Sequence, residues 1–129
     1  MSFEFYKPSN IKEASELLKN PGYVAVVGGT DTVVKVKGGF YKALKALVDL
    51  NGLFSNEIKV EKDKCIIGSA CVMNYIAHHQ VIIDNFPVLA QATLSVAAEQ
   101  IRNIATICGN VGNSSPVGDT IPALYSLEA

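Results

Sequence analysis

The chain has 129 residues, with 11 Lys+Arg against 12 Asp+Glu, a formal net charge of −1 and 49% hydrophobic residues. That length suffices for one domain with a core of its own, and the near-neutral charge withholds the cationic surface that nucleic-acid and anionic-membrane binding need. The apolar content excludes a mainly disordered chain, yet no stretch approaches the roughly 18 apolar residues of a membrane span. Neither nucleic acid nor membrane is expected as a partner. Residues 1–7 are short and carry Glu4, which does not suit a signal peptide, and a cytoplasmic location is expected.

Residues 3–7 alternate apolar and polar and predict a short strand. Asn10-Ile11-Lys12-Glu13 reads as a capping box opening a helix, with Ile11, Ala14, Leu17 and Leu18 on its inner face and Asn20-Pro21-Gly22 as its stop. Residues 23–27 form a buried type of strand ended by Gly28-Gly29, and residues 31–37 a short helix with Val33, Val34 and Val36 inward. Residues 47–50 predict a strand with Asn51-Gly52 as its turn, and residues 57–61 and 64–69 a hairpin around Lys62-Asp63. From Asn74 the pattern is helical, divided by Pro87, with residues 86–98 apolar nearly all round and therefore expected to be buried. Residues 100–107 fit either a helix or a strand. Residues 120–127 predict a last helix with Pro122 in its first turn. The expected class is α+β, with strands concentrated in residues 1–70 and helices after them.

The charges are divided unevenly. Residues 1–64 hold 10 of the 11 basic and 8 of the 12 acidic residues, leaving Arg102, Asp84, Glu99, Asp119 and Glu128 for residues 65–129. Five charges do not coat an independent half-domain. This half either forms the core or is covered by something outside the chain: a cofactor, a partner subunit or a continuation. The apolar ending Leu124-Tyr125-Ser126-Leu127-Glu128-Ala129, with no capping Gly and no polar tail, reads as that of a truncated chain.

Cys65, Cys71 and Cys108 do not form a disulfide scaffold and are too few for a cluster held by four cysteines of the chain. With His78-His79 they match no zinc spacing. Ordinary buried thiols are expected, and no metal site. His78 and His79 are expected to be surface or structural residues.

Two loops carry the chemistry. Val27-Gly28-Gly29-Thr30-Asp31-Thr32 lies between a strand and a helix start; its glycines allow a tight turn, and amides at such a place converge as a phosphate nest. A plain tight turn is the competing reading, because neither the G-x-G-x-x-G nor the G-K-[ST] fingerprint is present. The second loop spans residues 106–119 and crowds Gly, Asn and Ser onto what reads as irregular backbone, with Asp119 before the last helix. Uncharged donors at this density suit pyrophosphate and ribose, with Asp119 accepting from a sugar hydroxyl or capping the helix; the competing reading is an elaborate connection. Two such loops together favour a dinucleotide.

Val26-Val27-Gly28-Gly29-Thr30-Asp31 resembles the G-G-T-D loop of the FAD-binding subunits of the molybdenum hydroxylases, the xanthine, carbon monoxide and nicotinate dehydrogenase group. Gln100-Ile101-Arg102-Asn103-Ile104-Ala105-Thr106-Ile107-Cys108-Gly109-Asn110, followed by Ser115-Pro116-x-x-Asp119-x-x-Pro122-Ala123-Leu124, is similar to that family's second signature. Cys108 stands where the family commonly has glycine, and its Cβ is expected to crowd the cofactor or alter the turn. The resemblance implies the amino-terminal half of an FAD-binding domain of the PCMH, or vanillyl-alcohol oxidase-like, type over residues 1–129, with the rest of the flavin domain and a following α/β domain absent. It implies cofactor contacts from Val26, Val27, Gly28, Gly29, Thr30, Asp31 and Thr32, then from Thr106, Gly109, Asn110, Asn113 and Asp119, the two loops sharing one crevice.

The implied function is electron transfer: an oxidoreductase subunit that takes electrons from 2Fe–2S clusters on a small subunit, themselves fed by a molybdopterin-binding large subunit, and passes them from FAD to NAD+ or another acceptor. No catalytic acid, base or nucleophile is expected in the chain, and the chain alone is expected to be inactive. The alternatives are a flavin oxidase of the vanillyl-alcohol type and a non-catalytic domain that has lost FAD.

Overall fold

A computed structural model describes residues 2–129, and the chain forms two compact units, Met1–Phe54 and Ser55–Ala129. The first contains β1 (Glu4–Tyr6), α1 (Ile11–Leu18), β2 (Tyr23–Val26), α2 (Thr32–Lys37) and β3 (Ala46–Asp49). Its sheet is parallel in the order β1-β3-β2, with Phe5 opposite Leu47 and Val26 opposite Asp49. The α+β reading did not anticipate parallel pairing. It follows from the helical connections, which return each strand in the same direction. The central β3 is buried at all four positions, the unbroken pattern of a strand sheltered on both faces.

α1 starts where its caps place it. Asn10 Oδ1 accepts from Glu13 N at 2.9 Å, and the Glu13 carboxylate accepts from Ser9 N and Oγ at 2.7 and 2.8 Å. The return bond of the box therefore reaches Ser9 rather than Asn10, and these donors hold the Glu13 carboxyl below its ordinary pKa. The inner face begins at buried Ala14, because Ile11 in the first turn is exposed. α2 likewise departs from expectation: Val33 and Val34 are exposed, Val34 at 64%, and no residue of the helix is buried. Three valines in a six-residue helix gave an inward pattern by composition alone.

The second unit contains the antiparallel hairpin β4 (Ile58–Val60) and β5 (Cys65–Ile67), followed by α3 (Met73–His78), α4 (Gln80–Asn85), α5 (Pro87–Ser95), α6 (Glu99–Arg102), α7 (Ile107–Asn113) and α8 (Thr120–Ser126). Its core gathers Cys71, Met73, Ile76, Ile82, Leu89 and Ile107. α5 ends at Ser95 and buries one face only, through Leu89, Ala90, Ala92 and Thr93, while Val88 and Leu94 are exposed. Uniformly apolar composition had concealed a one-sided helix. Thr93 is fully buried and returns its hydroxyl to Leu89 O and Ala90 O at 3.0 and 2.9 Å, so no polar group is stranded there. Residues 100–107 divide between the two options: α6 covers the start, and Thr106 then bridges to Val72 as extended chain.

The low charge of residues 65–129 has part of its explanation in this core. The same unit also exposes Ile83, Val88, Leu94, Ile104, Val117 and Tyr125, the last two at 86%.

Candidate functional site

The first loop leaves β2 at Val26 and enters α2 at Thr32. Val26 O accepts from Leu50 N at 2.8 Å, continuing the ladder one residue past β3. Val27 O accepts from Asn51 Nδ2 at 2.9 Å. Gly29 holds φ +70°, where an L side chain is strained, and its carbonyl accepts from Val33 N at 2.9 Å. Asp31 precedes α2 without a side-chain cap, its carboxylate pairing instead with Lys35 Nζ at 2.7 Å and holding that ammonium above its ordinary pKa. Among the described residues, the N–H groups of Val27, Gly28, Gly29 and Thr30 donate no hydrogen bond. A set of uncommitted amides around a left-handed glycine fits an oxyanion-rich linker such as pyrophosphate without any cationic side chain.

The second loop is irregular only over residues 114–119. Residues 107–113, Gly- and Asn-rich as they are, form α7. Thr106 caps it, accepting from Gly109 N at 3.2 Å, while Ile107 N donates to Cys71 O at 2.9 Å and Cys108 N to Ser69 O at 3.2 Å. Cys108 occupies an ordinary helical position, so its Cβ does not alter a turn, and Sγ lies 3.6 Å from Thr106 Oγ1. At Gly109 a Cβ would come within 3.0 Å of Thr106 Oγ1, which makes the cap itself a reason for glycine. Asn110 Oδ1 accepts a hydrogen bond from the buried Thr120 hydroxyl, tying α7 to α8. Asp119 leads α8 but does not cap it; its carboxylate accepts from Ser95 Oγ at 2.7 Å. Helix capping by Asp119 is thereby corrected.

The side chains of Thr106, Asn110 and Asp119 thus have partners within the unit; Gly109 is exposed and Asn113 is half-buried. Their remaining capacity still fits a polar ligand, since a carboxylate and an amide oxygen each accept more than one hydrogen bond. Arg102, a signature residue without an assigned role, donates from Nη1 to Val96 O at 3.1 Å and to Ala97 O at 2.7 Å, and so fastens a bend where Ala97 has φ +45°. Sequence reasoning missed Asn51, Ser95 and Thr120 as supports of these loops. Asn51-Gly52 signalled only a turn, and the other two sit in unremarkable helical sequence.

His78 is exposed, with Nδ1 2.8 Å from Asn74 O, and His79 stands edge-on to Tyr75. Burial pushes the thiols of Cys65 and Cys71 above their ordinary pKa, which disfavours the thiolates a metal would need. Among the described residues no three His, Cys, Asp or Glu groups gather as metal ligands, and no helix is long and apolar enough to cross a membrane.

Residues 1–129, the whole chain, match the family described as the FAD binding domain in molybdopterin dehydrogenase. The chain belongs to that family. Among similar relatives of this FAD-binding family, the nicotinate dehydrogenase FAD-subunit of Eubacterium barkeri is 34% identical over 131 residues, covering 98% of this chain and 44% of its own length. The carbon monoxide dehydrogenase medium chain of Hydrogenophaga pseudoflava is 30% identical over 125 residues, covering 95% of this chain and 43% of its own. A solved structure of the carbon monoxide dehydrogenase from Hydrogenophaga pseudoflava, lacking the Mo-pyranopterin moiety, superposes with a TM-score of 0.84 at 27% identity over 93% of this chain and 42% of that one. The chain therefore spans less than half the length of the relatives it matches.

Proposed function

We propose that this chain is the FAD-holding amino-terminal part of an electron-transfer subunit in a molybdopterin-containing dehydrogenase, with a fold of the PCMH type. The observation that carries the reading is the first loop, where a left-handed Gly29 and uncommitted amides follow a family motif. Val27, Gly28, Gly29, Thr30, Asp31 and Thr32, with Val26 beside them, hold the pyrophosphate mostly through backbone N–H groups, each such charge-assisted bond worth roughly 1.5–3 kcal/mol. In the second unit, Thr106, Gly109, Asn110, Asn113 and Asp119 are the residues that the family resemblance assigns to FAD. FAD, when bound, supplies reversible electron storage. The chain's own part is to bind and orient it, with no acid, base or nucleophile of its own. Electrons arrive from a 2Fe–2S small subunit served by a molybdopterin large subunit and leave to NAD+ or another acceptor, in the cytoplasm.

The test is purification of the protein from its own cells with its bound subunits. Stoichiometric FAD, bleached by NADH or by the substrate of the complex, is expected; a purified complex without flavin would overturn the assignment and point to a domain that has lost its cofactor. Within that protein, Asp119→Ala is expected to weaken FAD retention about tenfold, near 1.4 kcal/mol. Ser95→Ala leaves the carboxylate in place and is expected to change retention less. Unchanged flavin content in Asp119→Ala after gel filtration would remove Asp119 from the site.

A further inference from the structure

We propose that Asn51, which belongs to neither loop motif, is a positioning residue for the first loop: it sets the 27–28 peptide so that consecutive amides present themselves to the pyrophosphate. The inference rests on the reading of that loop as an FAD site. Asn51 follows the exit of β3 and has both of its side-chain N–H groups engaged, Nδ2 donating to Val27 O at 2.9 Å and to Asp49 Oδ1 at 2.7 Å. Its backbone N–H donates to the same Asp49 oxygen at 3.0 Å. Asp49 is buried on the central strand, opposite Val26 in register. The amide is therefore anchored at the strand and grips the loop from there.

The consequence lies in the peptide planes. In an extended strand successive carbonyls point to alternate sides. Here Val26 O is drawn toward the exit of β3 by Leu50 N at 2.8 Å, and Val27 O is drawn the same way by Asn51. A trans peptide carries its N–H opposite its C=O. The N–H groups of Val27 and Gly28 are accordingly turned together to the other side, away from β3. On that side β2 is, among the described residues, an edge strand with no neighbour in the sheet. Two adjacent amides turned the same way make an anion nest. Without Asn51 the 27–28 peptide is free to revert to the alternating arrangement, which removes Gly28 N–H from the pair. Side chains that donate to a backbone carbonyl beyond a strand end do more than fill space; they choose a peptide orientation.

The experiment uses the protein isolated with its bound subunits and freed of flavin, titrated with FAD, ADP and riboflavin. Asn51→Asp keeps the shape but has no N–H to give; Asn51→His restores one ring N–H donor. Asn51→Asp is expected to weaken FAD and ADP by the same factor, about tenfold, and to leave riboflavin unchanged. Asn51→His is expected to recover part of both affinities. A general structural role would instead lower the urea midpoint and weaken riboflavin along with ADP, and that result overturns the proposal. So does an Asn51→Asp protein with wild-type ADP affinity. If the wild-type protein itself binds neither FAD nor ADP, the assignment of the loop fails, and that outcome is distinct from a failure of Asn51.

Discussion

Gly29→Val is expected to lower FAD affinity about a hundredfold, near 2.7 kcal/mol, in the protein isolated with its subunits. The residue holds φ +70°, where a β-branched side chain costs roughly 1–3 kcal/mol. Relief of that strain rotates the backbone and carries the neighbouring amides out of place. Space is a lesser obstacle: a Cβ at this position would lie 3.3 Å from Val26 Cγ2 and 3.6 Å from Val33 Cγ2, contacts to side-chain methyls that are able to yield. Gly29→Asn separates the two causes, because asparagine enters the left-handed region at little cost. Its FAD affinity is expected to stay within about tenfold of wild type. Flavin fluorescence titration measures both, and a Gly29→Val protein with wild-type affinity would show that the turn's conformation is not what holds the cofactor.

The parts of the fold legible in the sequence are those where local chemistry and tertiary structure agree. The Asn10–Glu13 box opens α1, Lys62-Asp63 turns the β4–β5 hairpin, Pro87 divides α4 from α5, and Pro122 lies in the first turn of α8. The first loop was legible for the same reason, since two glycines between a strand and a helix have few uses. α7 was not. Ile107-Cys108-Gly109-Asn110-Val111-Gly112-Asn113 contains two glycines and two asparagines, all poor helix formers. It is helical because its ends are tied from outside: Cys71 O and Ser69 O receive its first amides, Thr106 caps it, and Thr120 holds Asn110. None of these ties is local enough to show in a window of sequence.

Asn51 was illegible in a different way. An Asn-Gly pair after a strand is a turn signal whatever the amide does, and the reach of 24 residues back to Val27 leaves no periodic trace. The burial errors have a third cause. Valine in α2 and the apolar run of α5 were read by residue type, whereas exposure depends on which element lies opposite, so Val34 and Leu94 are open while Thr93 is sealed.

Gly68→Val is expected to lower stability by about 3 kcal/mol or more. Gly68 does not hold a left-handed conformation, so the reason for glycine is space alone. A Cβ there would stand 2.3 Å from Ser55 O and 2.6 Å from Ser55 C, and neither backbone atom has a rotamer to escape into. The surrounding bonds transmit the displacement. Gly68 N donates to Glu57 O at 2.8 Å, Cys71 N donates to Gly68 O at 2.9 Å, and Ala70 N donates to Ser55 O at 2.9 Å, so the hairpin and the segment entering α3 are fastened at one crossing. Ser69 is next in the chain, and its carbonyl receives Cys108 N from the first turn of α7. Moving Gly68 therefore loosens a helix that the sequence alone does not sustain, and α7 amides are expected to exchange faster in Gly68→Val than in wild type. Gly112→Ala, in the same helix but with nothing within 4 Å of the added Cβ, is expected to leave stability unchanged or raise it by about 0.5–1 kcal/mol. Urea unfolding of both variants decides the matter: a Gly68→Val midpoint equal to that of wild type would mean that the crossing at Ser55 is not the constraint on which α7 depends.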